Sequence, residues 1–292
     1  MIEQNIKLRS FMYLPAHNRK FLDKAITCNA DAIILDLEDS VPPDMRNKAR
    51  SIISEYDQSG ELGKRKNVFV RINPINSEDF VKDISEMCLK SVDGFMPSKI
   101  ESADDIVYID KLLSFHEIKH GLEVGKFKLS PLIETTYAIE NISEIARASK
   151  RLIAICLGGE DYLNDLGSVY TYQETALAYP RFRVVNAARA NGLLPIDTPF
   201  LNISDIETFE TNEKLAYKNG FAGCQVLSPK QIEPANRAFS PDLEKARFSK
   251  RVIDAVNEAS QNGESGVAML DGAMVGPPML KRAEAVLKQI AE

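Results

Sequence analysis

The sequence is short of several features that would classify a protein quickly. No apolar run approaches the ~18 residues of a membrane-spanning helix, and the polar start (Glu3, Gln4, Asn5, Lys7) lacks a signal peptide's apolar region. The expectation is a cytoplasmic protein with no membrane partner. A strong basic stripe is also missing: 36 Lys and Arg stand against 42 Asp and Glu, a net charge of −6, which argues against nucleic acid as the main partner. Cys28, Cys88, Cys156 and Cys224 are scattered without a CxxC pair, so free thiols fit better than disulfides or zinc. His17, His116 and His120 are the only histidines, and two of them fall on one predicted surface helix, which disfavours a His-built metal centre. Finally, Tyr13-Leu-Pro-Ala-His follows the first predicted strand where an open, doubly wound nucleotide-binding sheet would need a glycine-rich loop.

What the chain does have is alternation. Short apolar runs at 10–14, 32–37, 67–72, 94–97, 127–133, 152–157, 193–196 and 222–227 read as buried strands. Helical spacing follows them: 18–28, a charged segment to about 56, 77–89, and a helix opened by Ser102-Ala-Asp-Asp with an acidic first turn. Further on, about 173–191 ends at Gly192 as a C′ glycine should, and Ser204 is expected to cap a helix running to Asn219-Gly220. Eight β-then-α units predict an α/β fold, a (β/α)8 TIM barrel over 1–240, with a C-terminal helical and hairpin extension over 241–292.

Active sites in this architecture sit at the C-terminal strand ends. The polar groups expected there are Asp36, Glu38, Asp39, Arg71, Asn73, Lys99, Glu134, Glu160, Asp161 and Asp197. Glu134 and Asp161 end two successive strands, and side-by-side carboxylates repel unless a hard cation lies between them, so they are candidate Mg2+ ligands. The alternative is a helix cap at Asp161 and a solvated Glu134. Arg71 interrupts an apolar strand, and a buried guanidinium needs carboxylates. Those come from a substrate or, alternatively, from a structural pair with Glu38 or Asp36. Beyond the barrel, Asp271 is the one acid in an apolar Val-Ala-Met-Leu-Asp-Gly turn. If that arm lies over a barrel mouth, Asp271 is a desolvated carboxylate suited to proton transfer. The bland alternative is a decorative subdomain.

Six segments in order, Arg9-Ser-Phe-Met-Tyr-Leu-Pro-Ala, Leu35-Asp-Leu-Glu-Asp-Ser-Val, Val70-Arg-Ile-Asn, Ile133-Glu-Thr, Leu157-Gly-Gly-Glu-Asp-Tyr and Leu270-Asp-Gly-Ala-Met-Val, resemble the citrate lyase beta subunit group. That group also contains malyl-CoA, methylmalyl-CoA and citramalyl-CoA lyases. The resemblance implies a (β/α)8 barrel, Mg2+ held by Glu134 and Asp161, and an acyl-CoA or acyl-carrier thioester substrate. It also implies a homo-oligomer, a trimer or hexamer, whose C-terminal arm brings Asp271 to a neighbouring subunit.

Arg71, Asp271 and Glu38 make up the catalytic candidates, and Arg19, Lys20 and Lys24 could take the CoA phosphates or be a solvated helix face. The chain departs from the group's pattern at Pro15-Ala16, Pro97-Ser98-Lys99 and Ser228, which leaves the carrier and acyl group open. Asp271 stands where citrate lyase beta subunits often have Asn, which favours a stand-alone CoA lyase. The expected reaction is Mg2+-dependent C–C cleavage of a 3-hydroxyacyl-CoA to an acyl-CoA and a 2-keto acid, or the reverse condensation. A citryl-thioester lyase subunit in a complex and a malyl-CoA thioesterase are the alternatives.

Overall fold

The computed structural model describes residues 6–65, 67–168, 175–241, 243–261 and 267–291. The first strands and helices alternate as β1 (Ser10–Pro15), α1 (Arg19–Ile26), β2 (Ala32–Asp36), α2 (Arg46–Gln58), β3 (Val68–Ile72), α3 (Phe80–Met87), β4 (Gly94–Pro97) and α4 (Ala103–Lys119). Then come β5 (Lys128–Leu129), β6 (Leu132–Ile133), α5 (Thr136–Ile145), β7 (Ala154–Leu157), α6 (Gly159–Asp165), α7 (Ala178–Ala190), β8 (Leu194–Asp197), α8 (Ile206–Lys218), β9 (Gly223–Val226) and α9 (Pro229–Ala238). The strands form one parallel sheet in the order β5-β4-β3-β2-β1-β9-β8-β7-β6.

The two ends of that order are halves of one strand. The Ser130 N–H donates to Phe95 O at 3.0 Å towards β4, and the Cys156 N–H donates to Pro131 O at 3.0 Å from β7. Residues 128–133 therefore bridge both neighbours, and the nine pieces close into an eight-stranded barrel. Pro131 splits the strand expected over 127–133, because it has no N–H to continue the ladder. Inside, Phe11, Phe69, Met96, Leu132 and Ile196 belong to one buried cluster, with Phe11 and Phe69 edge-to-face at 5.0 Å.

Local signals account for most boundaries. Ser102 and Asp105 form a reciprocal capping box on α4. Gly192, at φ +72°, follows the end of α7 as expected. The cap expected at Ser204 falls one residue later: Asp205 accepts the Thr208 N–H at 3.1 Å, while the Ser204 hydroxyl donates to Asn202. The helix expected from 173 begins, within the described residues, as a 3-10 turn at Thr175–Leu177; 173 and 174 lie outside them.

The chain divides into two compact units, Met1–Asn236 and Arg237–Glu292. The second holds α10 (Leu243–Gln261), an antiparallel hairpin of β10 (Ala268–Leu270) and β11 (Ala273–Val275), and α11 (Pro277–Ala291). Its own small core gathers Val252, Val256, Val275 and Ala283. No described helix is long and apolar enough to cross a membrane.

Candidate active site

Strand register builds the acidic rim. Asp36 and Arg71 are Cα partners on β2 and β3, so their side chains leave neighbouring strands on the same face. Arg71 Nε and Nη2 each lie 2.6 Å from an Asp36 oxygen, a two-point pair. Its Nη1 is left to Glu38 at 3.1 Å and Asp39 at 3.4 Å, and its guanidinium carbon lies 5.0 Å from the centre of the Tyr13 ring. Burial pushes the Asp36 carboxyl up, but Arg71 and the Ser40 hydroxyl overcome it and hold Asp36 below its ordinary value. The structural pair weighed for Arg71 therefore exists, and the Nη1 edge is the part not committed to Asp36.

Glu38 and Glu134 are the acids with the greatest need. Glu38 is 3% exposed, and neither of its carboxylate oxygens has a hydrogen bond among the described residues. Burial raises its pKa above the ordinary value, with Arg71 opposing. Glu134 is 1% exposed, and burial first, then repulsion from Glu38 and Asp161, push it up to about 8. The Lys99 N–H donates to its Oε1 at 2.6 Å.

Burial of Glu134 and the position of Asp161 set aside the bland alternative. Gly158 is the N-cap of α6, and Asp161 lies in that helix's first turn. The Gly158-Gly159 pair has a steric cause. A Cβ at Gly158 would come within 2.5 Å of Glu134 Cβ and 2.7 Å of Oε2, and one at Gly159 within 2.6 Å of Thr198 Oγ1.

Glu134 and Asp161 both line two cavities, of about 320 and 510 Å3, with Arg71 on the first and Lys99 on the second. Among the described residues no group of three His, Cys, Asp or Glu side chains forms a metal cage. Two carboxylates are what Mg2+ ordinarily takes from a protein when waters and substrate oxygens complete its shell. A buried Glu134, repelled by the half-buried Asp161 and by Glu38, fits a divalent cation.

Sequence reasoning missed Tyr13 and Gln225. The Tyr13 hydroxyl donates to Gln225 Oε1 at 2.7 Å, and Gln225 Nε2 donates to Leu157 O at 2.8 Å and Asp197 O at 3.0 Å. Gln225 carried the same signal as Arg71, a polar residue inside an apolar strand. The basic residues of α1 do not act as one group. Arg19 and Lys20 line a cavity of about 410 Å3 together with Lys48, and Arg19 is paired with Glu55. Lys24 lines a separate, largely apolar cavity of about 420 Å3, which shares Tyr13 and Leu227 with the site cavity.

Within its own unit the Asp271 carboxylate is exposed; the desolvation expected of it belongs to an arm laid over a barrel mouth. Asp271-Gly272, at φ +51° and +78°, is the two-residue turn of the hairpin, a conformation that Asp-Gly favours. The Asp271 side chain is 56% exposed and paired with Arg251 of α10. A tip residue has too few neighbours to strip water from its carboxylate. Met269 and Met274, cross-strand partners, are 66% and 71% exposed beside it.

An eight-stranded barrel with an acidic, cation-demanding rim is the frame of a metal-assisted lyase or aldolase. Residues 9–229 match the model of the HpcH/HpaI aldolase/citrate lyase family, and the chain belongs to that family. It is 34% identical to citrate lyase subunit beta of Haemophilus influenzae over 96% of each chain. It is 28% identical to the mitochondrial citramalyl-CoA lyase of Homo sapiens, over 96% of this chain and 84% of that one. The crystal structure of protein CitE from Mycobacterium tuberculosis, in complex with magnesium, acetoacetate and coenzyme A, superposes with a TM-score of 0.79 at 25% identity, covering 97% of this chain and 98% of that one.

Proposed function

We propose that this chain is a Mg2+-dependent carbon–carbon lyase. Its substrate is a 3-hydroxyacyl thioester with a carboxylate next to the hydroxyl, such as a malyl-, citramalyl- or related CoA ester. The products are an acyl-CoA and a 2-keto acid, and the reverse condensation uses the same groups. The observation that carries this reading is Glu134, pushed up to about 8 in a buried acidic corner that a cation would relieve. The lyases among its relatives, and the magnesium and coenzyme A bound by CitE, support it.

Glu134 and Asp161 would hold the metal. Bound there, Mg2+ supplies a Lewis acid that lowers the pKa of the substrate hydroxyl and polarises the forming keto group. Glu38, buried and flanked by Arg71 and Lys99, takes the hydroxyl proton as the adjacent C–C bond breaks and its electron pair passes to the acyl-thioester carbon. Arg71 offers Nη1 to the thioester oxyanion that develops. Asp271, in its acid form, returns a proton to the enolate carbon; in condensation it is the base.

The exposed hairpin tip, with Met269 and Met274 beside Asp271, supports an arm that docks on a neighbouring copy, where the acid finds the apolar surroundings its own unit lacks. The working form is then a homo-oligomer, a trimer or hexamer, with 241–292 as the arm. The CoA phosphates fall to Arg19 and Lys20, with Lys48 beside them, and the thioester arm runs through the apolar cavity past Lys24.

The test is a panel of malyl-, methylmalyl-, citramalyl- and citryl-CoA assayed with Mg2+. Keto acid released together with an acyl-CoA is the expected result; free CoA without keto acid makes the protein a thioesterase and overturns the reading. A citryl-thioester lyase subunit acting in a complex is the second reading, favoured by the 34% identity to citrate lyase subunit beta along nearly the full length of both chains. Turnover of a citryl thioester only when partner subunits are present distinguishes it.

A further inference from the structure

Lys99 stands just past β4 with φ +51°, one of three described non-glycine residues in the left-handed region. Glycine and asparagine adopt that conformation with least strain, and a lysine held in it points to a role for its side chain. The turn has a visible result at the main chain, where the Lys99 N–H reaches Glu134 Oε1 at 2.6 Å. A glycine would serve that bond equally well. The side chain does something else: its ammonium lies 3.4 Å from Glu38 Oε1, an oxygen with no hydrogen bond among the described residues. Lys99 also lines the cavity of about 510 Å3 that Glu134 and Asp161 share. The other cation at this rim, Arg71, has two of its three nitrogens committed to Asp36.

We propose that Lys99 is a positioning residue for Glu38, its ammonium fixing the carboxylate that takes the substrate hydroxyl proton while its main chain fixes Glu134. This rests on the lyase reading and on Glu38 as proton acceptor. One residue thereby ties the metal-binding acid to the proton-accepting acid, and its two roles separate by mutation.

Lys99→Gly keeps the N–H, relaxes the backbone and removes the side chain with its ammonium. In that variant kcat falls about 100-fold, the range of a misplaced general base, and KM for the thioester stays within about threefold, since the ammonium does not bind substrate. The melting temperature is kept or raised. Mg2+ affinity by calorimetry is unchanged or tighter, because a positive charge has left the side of the ligand carboxylates. Lys99→Asn, which tolerates the backbone but carries no charge, is as slow as Lys99→Gly and carries the test should the glycine variant not fold.

Lys99→Arg restores a substantial part of kcat. Wild-type kcat in the Gly or Asn variant overturns the proposal, and so does loss of Mg2+ binding in Lys99→Gly, which would put the requirement in the backbone. A wild-type protein that releases no keto acid overturns the lyase reading as well; a working wild type matched by Lys99→Gly overturns this one alone.

Discussion

In the barrel unit, Asp36, Glu38 and Glu134 are at most 3% exposed, and Arg71, Lys99 and main-chain N–H groups surround them. In the C-terminal unit, Asp271 rides on a turn with its side chain 56% exposed and paired with Arg251. The first set has its burial, charge balance and register fixed by one fold. The second has only a position, and its chemical surroundings have to be supplied when the hairpin docks. On the proposed reading, the metal-binding half of the chemistry is pre-organised and the proton-return half is delivered.

The largest effect tests the pre-organised half. Glu134→Ala or Asp161→Ala lowers turnover on the order of 10³-fold or more and removes Mg2+ binding in calorimetry; undiminished affinity in both variants would remove the metal site. Next, Asp271→Asn lowers kcat by about 10²–10⁴-fold, the range for a lost general acid, while Mg2+ binding is retained. Mixing Glu134→Ala with Asp271→Asn subunits restores part of the activity if the arm crosses between copies, and verified mixed oligomers without rescue would place both halves in one chain.

A smaller effect comes from pH. With Glu134 pushed up to about 8, a proton must leave before Mg2+ binds, so affinity rises about tenfold per pH unit below 8 and then levels off. In the metal-free protein, Glu134 keeps its proton up to about 8 when folded but only to about 4.5 when unfolded. Stability therefore falls as pH rises across that window, which urea titrations at several pH values would read. The smallest effect sharpens the steric claim. Gly158→Ala sets a Cβ 2.5 Å from Glu134 Cβ, costs about 1–3 kcal/mol by overpacking, and weakens Mg2+ binding; wild-type stability and affinity would contradict it.

Much of this was legible in the sequence because a barrel strand advertises itself: a short apolar run closed by acidic residues, as 32–37 is by Glu38-Asp39 and 127–133 by Glu134, marks both a buried strand and the rim it points to. Arg71 stood out by the same contrast. Other features depend on partners far along the chain. The Tyr13–Gln225 bond joins residues that only barrel closure makes neighbours, and the Asp36–Arg71 pair depends on register. The left-handed turn at Lys99 has no local signature, since lysine is not a residue that announces it. The desolvation expected of Asp271 requires an arm over a barrel mouth, a partner that no local sequence shows; within its own unit Met269 and Met274 face solvent while Ala268 and Leu270 pack against the small core.

Pro131 leaves a last consequence. Its missing N–H would face β7, so the stub of strand carrying Glu134 is laced to that side through the Pro131 and Ile133 carbonyls, which accept from the Cys156 and Gly158 N–H groups, and the Lys99 N–H to Glu134 is a stitch across the other. On the proposed reading Glu134 is thus both a ligand and a fastening in the barrel wall. Any ion that draws on its carboxylate tugs at a seam, so hydrogen exchange at the Lys99 amide becomes a gauge of occupancy that needs no substrate at all.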